Sequence, residues 1–251
     1  MAKKKKKKIK SSARSSLRNI KDRIVSTRMH FPCNRSTFGF TFASLLKAAW
    51  TLVLARNSSS DDVVFGHVVT TRGLVCSSTE GLVGPCMEFI PVRVNINEGR
   101  GVASVNDDVE EQKDLGEAVE ARDLLQRVQA QHLEGMPYHA HGFPNIVREC
   151  TKWPLSTRMA TFVQHQNVEE TPPTLLFQDG LAARAYVEAR PFGSCDLSVV
   201  TTPFGAEEVD VVMNYCGYVM REDQVRMLLH ALVAELHRLH FLLLEFEFAH
   251  G

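Results

Sequence analysis

The sequence predicts an α/β fold, a mixed sheet with helices packed on it, and a basic tail in front. Three observations carry this. Apolar residues recur at helical spacing around 42–53, 124–133 and 225–236. Runs rich in β-branched residues, bounded by turn residues, lie between and before these helices. The order is helix, strand, extended segment, two helices, strand, three further strands, helix, which suits helices layered on one sheet. With 251 residues, 44% of them hydrophobic, the chain can bury the core of one or two domains.

The tail comes first. Residues 1–36 carry 13 Lys and Arg against one acidic residue, Asp22, so the remainder carries 16 basic against 28 acidic residues and the net charge of zero hides a split. "MAKKKKKKIKSSARSSLRNIKDR" holds few large apolar residues and is expected to stay disordered. No apolar stretch follows the lysines, so they do not read as a secretory signal, and no segment reads as long and apolar enough to span a bilayer. The expected location is the cytoplasm, with the lysine block marking nuclear localisation or polyanion binding as the second reading.

In the first helix Phe42, Leu45, Leu46, Ala49 and Val53 share a face. "RNSSSDD" turns the chain into a buried strand, "VVFGHVV", from Val63 to Val69. "GLVGPCMEFIPVRVNI" is extended, and Pro91 confines it to a sheet edge or a loop. Residues 97–120 hold eight acidic and two basic residues and read as a solvated loop insertion. A helix follows on Leu124, Leu125, Val128 and Leu133, with Gly135 as its cap; "GMPYHAHGF" is a turn, and Pro144 opens a short helix over "FPNIVREC". "MATFVQHQN", "ARAYVEAR", "CDLSVVTTP" and "VDVVMNYC" are strands. The last helix starts near Arg221 on a stripe of Val225, Leu228, Leu229, Leu232, Val233 and Leu236. The end, "LHFLLLEFEFAHG", fits helix or strand.

The six cysteines, Cys33, Cys76, Cys86, Cys150, Cys195 and Cys216, form no CxxC pair and are expected to be reduced thiols, with Cys150 and Cys216 in the core. His237 and His240 stand at i, i+3, and His139 and His141 flank one residue, but neither pair has a third ligand placed by spacing, so no metal is expected. His67 and His165 lie on strands and read as hydrogen-bonded strand histidines ahead of groove-lining ones. The acidic body lacks a basic, aromatic face for nucleic acid, which leaves only the lysine tail for such a partner.

"SLLKAAWTLVLARNSSSDDVVFGHVVTTRG" resembles the C-terminal lobe of nonribosomal peptide synthetase condensation domains, those of fungal type in particular. "GLVGPCMEFIPVRV" is similar to that family's Gly-Pro-x-x-Asn-Thr-x-Pro-x-Arg stretch. "DLLQRVQAQHLEGMPYHAHGFPNIVRECTKWP" and "FVQHQN" follow in family order, so the likeness covers about residues 40–240. The resemblance implies one chloramphenicol-acetyltransferase-like lobe out of two. It also implies amide formation between substrates tethered to carrier-protein domains by phosphopantetheine arms, which enter between the lobes, with no cofactor bound to the lobe itself.

The family's His-His-x-x-x-Asp-Gly signature belongs to the other lobe. No two of the ten histidines here are adjacent, so no catalytic residue is assigned. The resemblance places Arg72, Gly84, Pro91, Arg93, Gln164, His165 and Asn167 at channel or loop positions, with Arg93, Gln164 and Asn167 expected to hold loops through backbone groups and Arg72 to pair with a carboxylate. Glu88-Phe89 stands where the family has Asn-Thr, and Thr71 where it has Gly before Arg72. A lobe of this kind is expected to be inactive alone. Its expected partners are carrier-protein domains, a polypeptide bearing the N-terminal lobe, or copies of itself.

Overall fold

The computed structural model describes residues 22–32, 38–72, 86–98, 110–166, 174–176, 182–184 and 195–250. Its centre is a six-stranded mixed sheet in the order β1-β8-β7-β4-β2-β3. The strands are β1 (Asp22–His30), β2 (Asp62–Thr70), β3 (Met87–Asn95), β4 (Thr161–His165), β7 (Leu197–Phe204) and β8 (Glu208–Cys216). β2, β4 and β7 run parallel; β3 pairs antiparallel with β2, and β8 with both β7 and β1. β5 (Thr174–Leu176) and β6 (Ala182–Arg184) form a separate antiparallel pair.

The helices are α1 (Phe42–Ser58), α2 (Glu110–Gly135), α3 (Phe143–Cys150) and α4 (Glu222–His250), with a 3-10 helix at Met136–His141. α1 starts at Thr41, whose hydroxyl accepts from the Ser44 N–H at 3.2 Å, and ends at Ser59 in the left-handed region. From Ser44 to Thr51 every residue is buried, because α1 is apolar on all sides and is clasped by α2, α4 and the sheet. Val25, Met29, Phe65, Val163, Val199, Val209, Val211 and Met213 project from one face of the sheet into this layer. Alternation sends Val68 and Phe162 to the other face, where they form a smaller cluster with Met159.

The edge at β3 is closed in an unusual way. Cys86 and Ile96 bond toward β2, through Thr71 N–H to Cys86 C=O and Ile96 N–H to Asp61 C=O, so the alternate residues Pro91, Arg93 and Asn95 face outward. Pro91 has no N–H to offer there, while Gln131 and Arg127 of α2 donate to the carbonyls of Arg93 and Asn95 at 2.9 and 2.8 Å. Pro91 is therefore on an edge strand, as its chemistry requires.

Several expectations are corrected. The basic tail does not run to residue 36 without structure: residues 22–30 are β1, with Val25 and Met29 in the core and Phe31 packed edge-on against Phe42, ring centres 5.1 Å apart. Residues 1–21 lie outside the described residues. The acidic stretch 97–120 is not all loop, since α2 begins at Glu110 and buries Ala118 and Ala121. Gly135 is no left-handed cap; its φ of −76° continues α2 into the 3-10 helix, and Leu133 is 56% exposed. Cys150 is exposed and Cys216 half-buried, so neither is a core residue. α4 extends as helix to His250 and adds Leu239, Leu242 and Leu243 to the buried stripe. By length and composition Glu222–Ala249 could cross a membrane, but here its stripe is spent on the protein core.

Candidate functional site

The parallel strands β2, β4 and β7 end at the same side of the sheet, with Gly66 opposite Phe162 and His165 opposite Thr201. This register brings Arg72, just beyond β2, to the same end as Gln164 and His165. Arg93 lies at the other end, near the start of β2. Gly84 and Asn167 lie outside the described residues.

His165 faces the helices. Its Nδ1 lies 3.0 Å from the Thr201 hydroxyl and its ring 4.8 Å from that of Phe42, and burial pushes the imidazole down to about 4. Such a group is neutral at pH 7 and a weak base, so it is a packed strand histidine. Gln164, one residue earlier, points to the opposite face. His67 is also structural: its Nδ1 is 3.2 Å from the Val163 carbonyl, and burial, with the Lys47 charge next, pushes it down to about 3.

Arg93 differs from expectation. Its guanidinium grips the Asp62 carboxylate, not a loop carbonyl, in two-pronged fashion at 2.7–3.2 Å, which holds Asp62 below the usual carboxylate range. The Arg72 N–H is received by the Thr70 hydroxyl at 3.3 Å. Glu88 approaches Gly142, the φ +78° residue that launches α3. His237 and His240 both lie against Phe31, at 6.1 and 4.9 Å between ring centres, and His141 contacts Glu149 at 3.2 Å. Among the described residues no group of three or more His, Cys, Asp or Glu could hold a metal ion.

The sequence reading missed a buried basic cluster. Lys47, on α1, is 2% exposed, and burial lowers its ammonium to about 8. His67 on β2, His132 on α2 and His139 on the 3-10 helix stack around it, with successive ring centres 5.6 and 5.1 Å apart. A signal was present: Lys47 is the lone charged residue in the apolar run Phe42–Ala55.

The condensation-domain family model matches residues 28–239. The chain belongs to the condensation-domain family. A nonribosomal peptide synthetase of Aspergillus fumigatus, fmqA, is 33% identical over 214 residues, 84% of this chain but 5% of the synthetase. Among solved structures, the one described as holo T3CT superposes with a TM-score of 0.69 at 24% identity, covering 88% of this chain and 46% of that one. The starter condensation domain of rhizomide synthetase superposes with a TM-score of 0.56 at 14% identity, covering 87% and 45%. The chain thus spans about half the length of these condensation-type structures, and its mixed sheet with packed helices is one chloramphenicol-acetyltransferase-like lobe.

Proposed function

We propose that this condensation-domain chain forms one wall of a site where an amine attacks a thioester to make an amide, the two substrates being tethered to carrier proteins by phosphopantetheine arms. The observation that carries this is the family match over residues 28–239 on a fold equal to one lobe. The electrostatics support a wall without its own base: the strand histidines His67 and His165 are held at about 3 and 4, too low to accept a proton usefully at neutral pH. The base is then supplied by a second lobe carrying a His-His-x-x-x-Asp-Gly motif. Arg72 and Gln164, at the carboxyl end of the parallel strands, are the positions in this chain best placed to meet that lobe or a tethered arm.

The test mixes the purified chain with loaded donor and acceptor carrier proteins, with and without a separately produced lobe bearing the motif. Amide product is expected only in the mixture that contains both lobes. Product formed by this chain alone would overturn the assignment of the base to the other lobe.

The charge split favours a second reading, in which the lysine block tethers an acidic lobe to a polyanion. Deleting residues 2–21, which leaves β1 intact, should then abolish binding to a polyanion such as heparin. Binding that survives the deletion, or that is indifferent to salt, would remove this reading.

A further inference from the structure

Between α1, β3, α2 and the 3-10 helix lies a cavity of about 190 Å³, more than ten times what one water needs. Its polar groups are Lys47, Gln131, His132, Tyr138 and His139. Gln131 is engaged with the Arg93 carbonyl. His139 is 4% exposed and its Nε2 has no hydrogen-bond partner. Lys47 has no carboxylate partner among the described residues; burial alone accounts for its weakened hold on its proton. The remaining wall is apolar, with Ile90, Val92 and Ile146.

We propose that this cavity binds a small carboxylate with a short apolar body, its oxygens received by the Lys47 ammonium and by N–H groups of His132 and His139. Three facts converge on that chemistry. A buried cation without a counter-ion is costly, and an anion relieves that cost. The neighbouring imidazoles are neutral, because burial first and Lys47 second hold them down, so each carries one N–H to donate to an oxygen. A metal ion is disfavoured by the ammonium beside the same imidazoles, whereas an anion is favoured by it. The apolar wall excludes a fully hydrated ion such as phosphate and suits a branched aliphatic tail. The titratable groups facing Lys47 are His67, His132 and His139, with Tyr138 at the rim. The site does not depend on the condensation reading, since neither Arg72 nor Gln164 lines it.

Calorimetric titration of the full chain with isovalerate, isovaleramide and inorganic phosphate tests this. Isovalerate is expected to bind roughly tenfold to a hundredfold more tightly than its uncharged amide, the worth of a hydrogen bond to a buried charge. Phosphate is expected not to compete. Isovalerate affinity should fall as the pH is raised from 7 to 9 and Lys47, held at about 8 by burial, loses its proton. Lys47→Met should remove the preference for isovalerate over the amide, and His139→Leu should weaken isovalerate by about tenfold. Equal binding of acid and amide, tighter binding of phosphate, no binding of isovalerate, or an unchanged preference in Lys47→Met would each overturn the proposal. If Lys47→Met does not fold, His139→Leu decides: isovalerate bound as tightly by it as by the parent chain would overturn the proposal.

Discussion

At the scale of single residues the buried histidines set the response to acid. An imidazole held neutral in the fold, but free to protonate near 6.5 in the unfolded chain, stabilises the native state above 6.5. That contribution is lost as pH falls toward the native value of about 4 for His165 and about 3 for His67. At pH 5 each should have given up about 2 kcal/mol relative to neutrality. Urea unfolding at pH 7 and pH 5 should show the loss, and His165→Leu should show about 2 kcal/mol less of it. Gly66 makes a different point. A Cβ there would stand 2.1 Å from the Phe162 ring, so the Phe162 side chain of β4 lies over Gly66 of the neighbouring β2 where only hydrogen fits. Gly66→Ala should destabilise by about 1–3 kcal/mol or more, and a second change, Phe162→Leu, should recover part of it in a double-mutant cycle. Of the site residues, His67 and His165 were legible as strand histidines because each lies in a short run with β-branched and aromatic residues, Val63, Val64, Phe65, Val68 and Val69 for the first and Thr161, Phe162 and Val163 for the second. Lys47 was not, because a lysine in an apolar helix is ordinarily written off as a solvated side chain that snorkels.

At the scale of elements, legibility followed contrast. α1, β2, β7 and β8 have apolar runs bounded by polar turns, and each appears where the pattern put it. β1 was hidden because Arg, Ser and His alternate with only two core residues, Val25 and Met29, and the lysines ahead of it dominate the composition. The first turns of α2 were hidden for the same reason, since dense acidic charge looks like solvated loop until Ala118 meets the core. The burial of β1 is checkable. Val25→Asp places a carboxylate where the side chain is 2% exposed, and should cost roughly 3 kcal/mol or more in urea unfolding. Ser26→Asp, on the exposed alternation, should stay within about 0.5 kcal/mol of the parent. A neutral outcome for both would mean that β1 is not held in the sheet. Across the helix layer, Arg56 of α1 and Arg238 of α4 both reach the buried Glu235 carboxylate, so α1 and α4 are linked by charge as well as by packing.

At the scale of the whole molecule the lobe leaves apolar groups uncovered, Leu155, Tyr218, Met227 and Phe241 among them, each more than half exposed. Self-association is therefore expected in sedimentation experiments, and it should persist in about 1 M salt, where the screening length is about 3 Å. Loss of association in salt would instead implicate the basic N-terminal segment against the acidic body. That the chain matches about half of its solved relatives was legible only through family resemblance, since periodicity within a lobe says nothing of what surrounds it. The two rims of the sheet do not behave alike. Along β3, a proline without an N–H and two carbonyls already claimed by α2 break the row that an incoming backbone would need. Among the described residues no strand lies beyond β1, so of the two rims β1 is the one more open to an added strand. Two copies joined there would use up each other's open rim, and assembly by that route would halt at a pair instead of running on into a fibre.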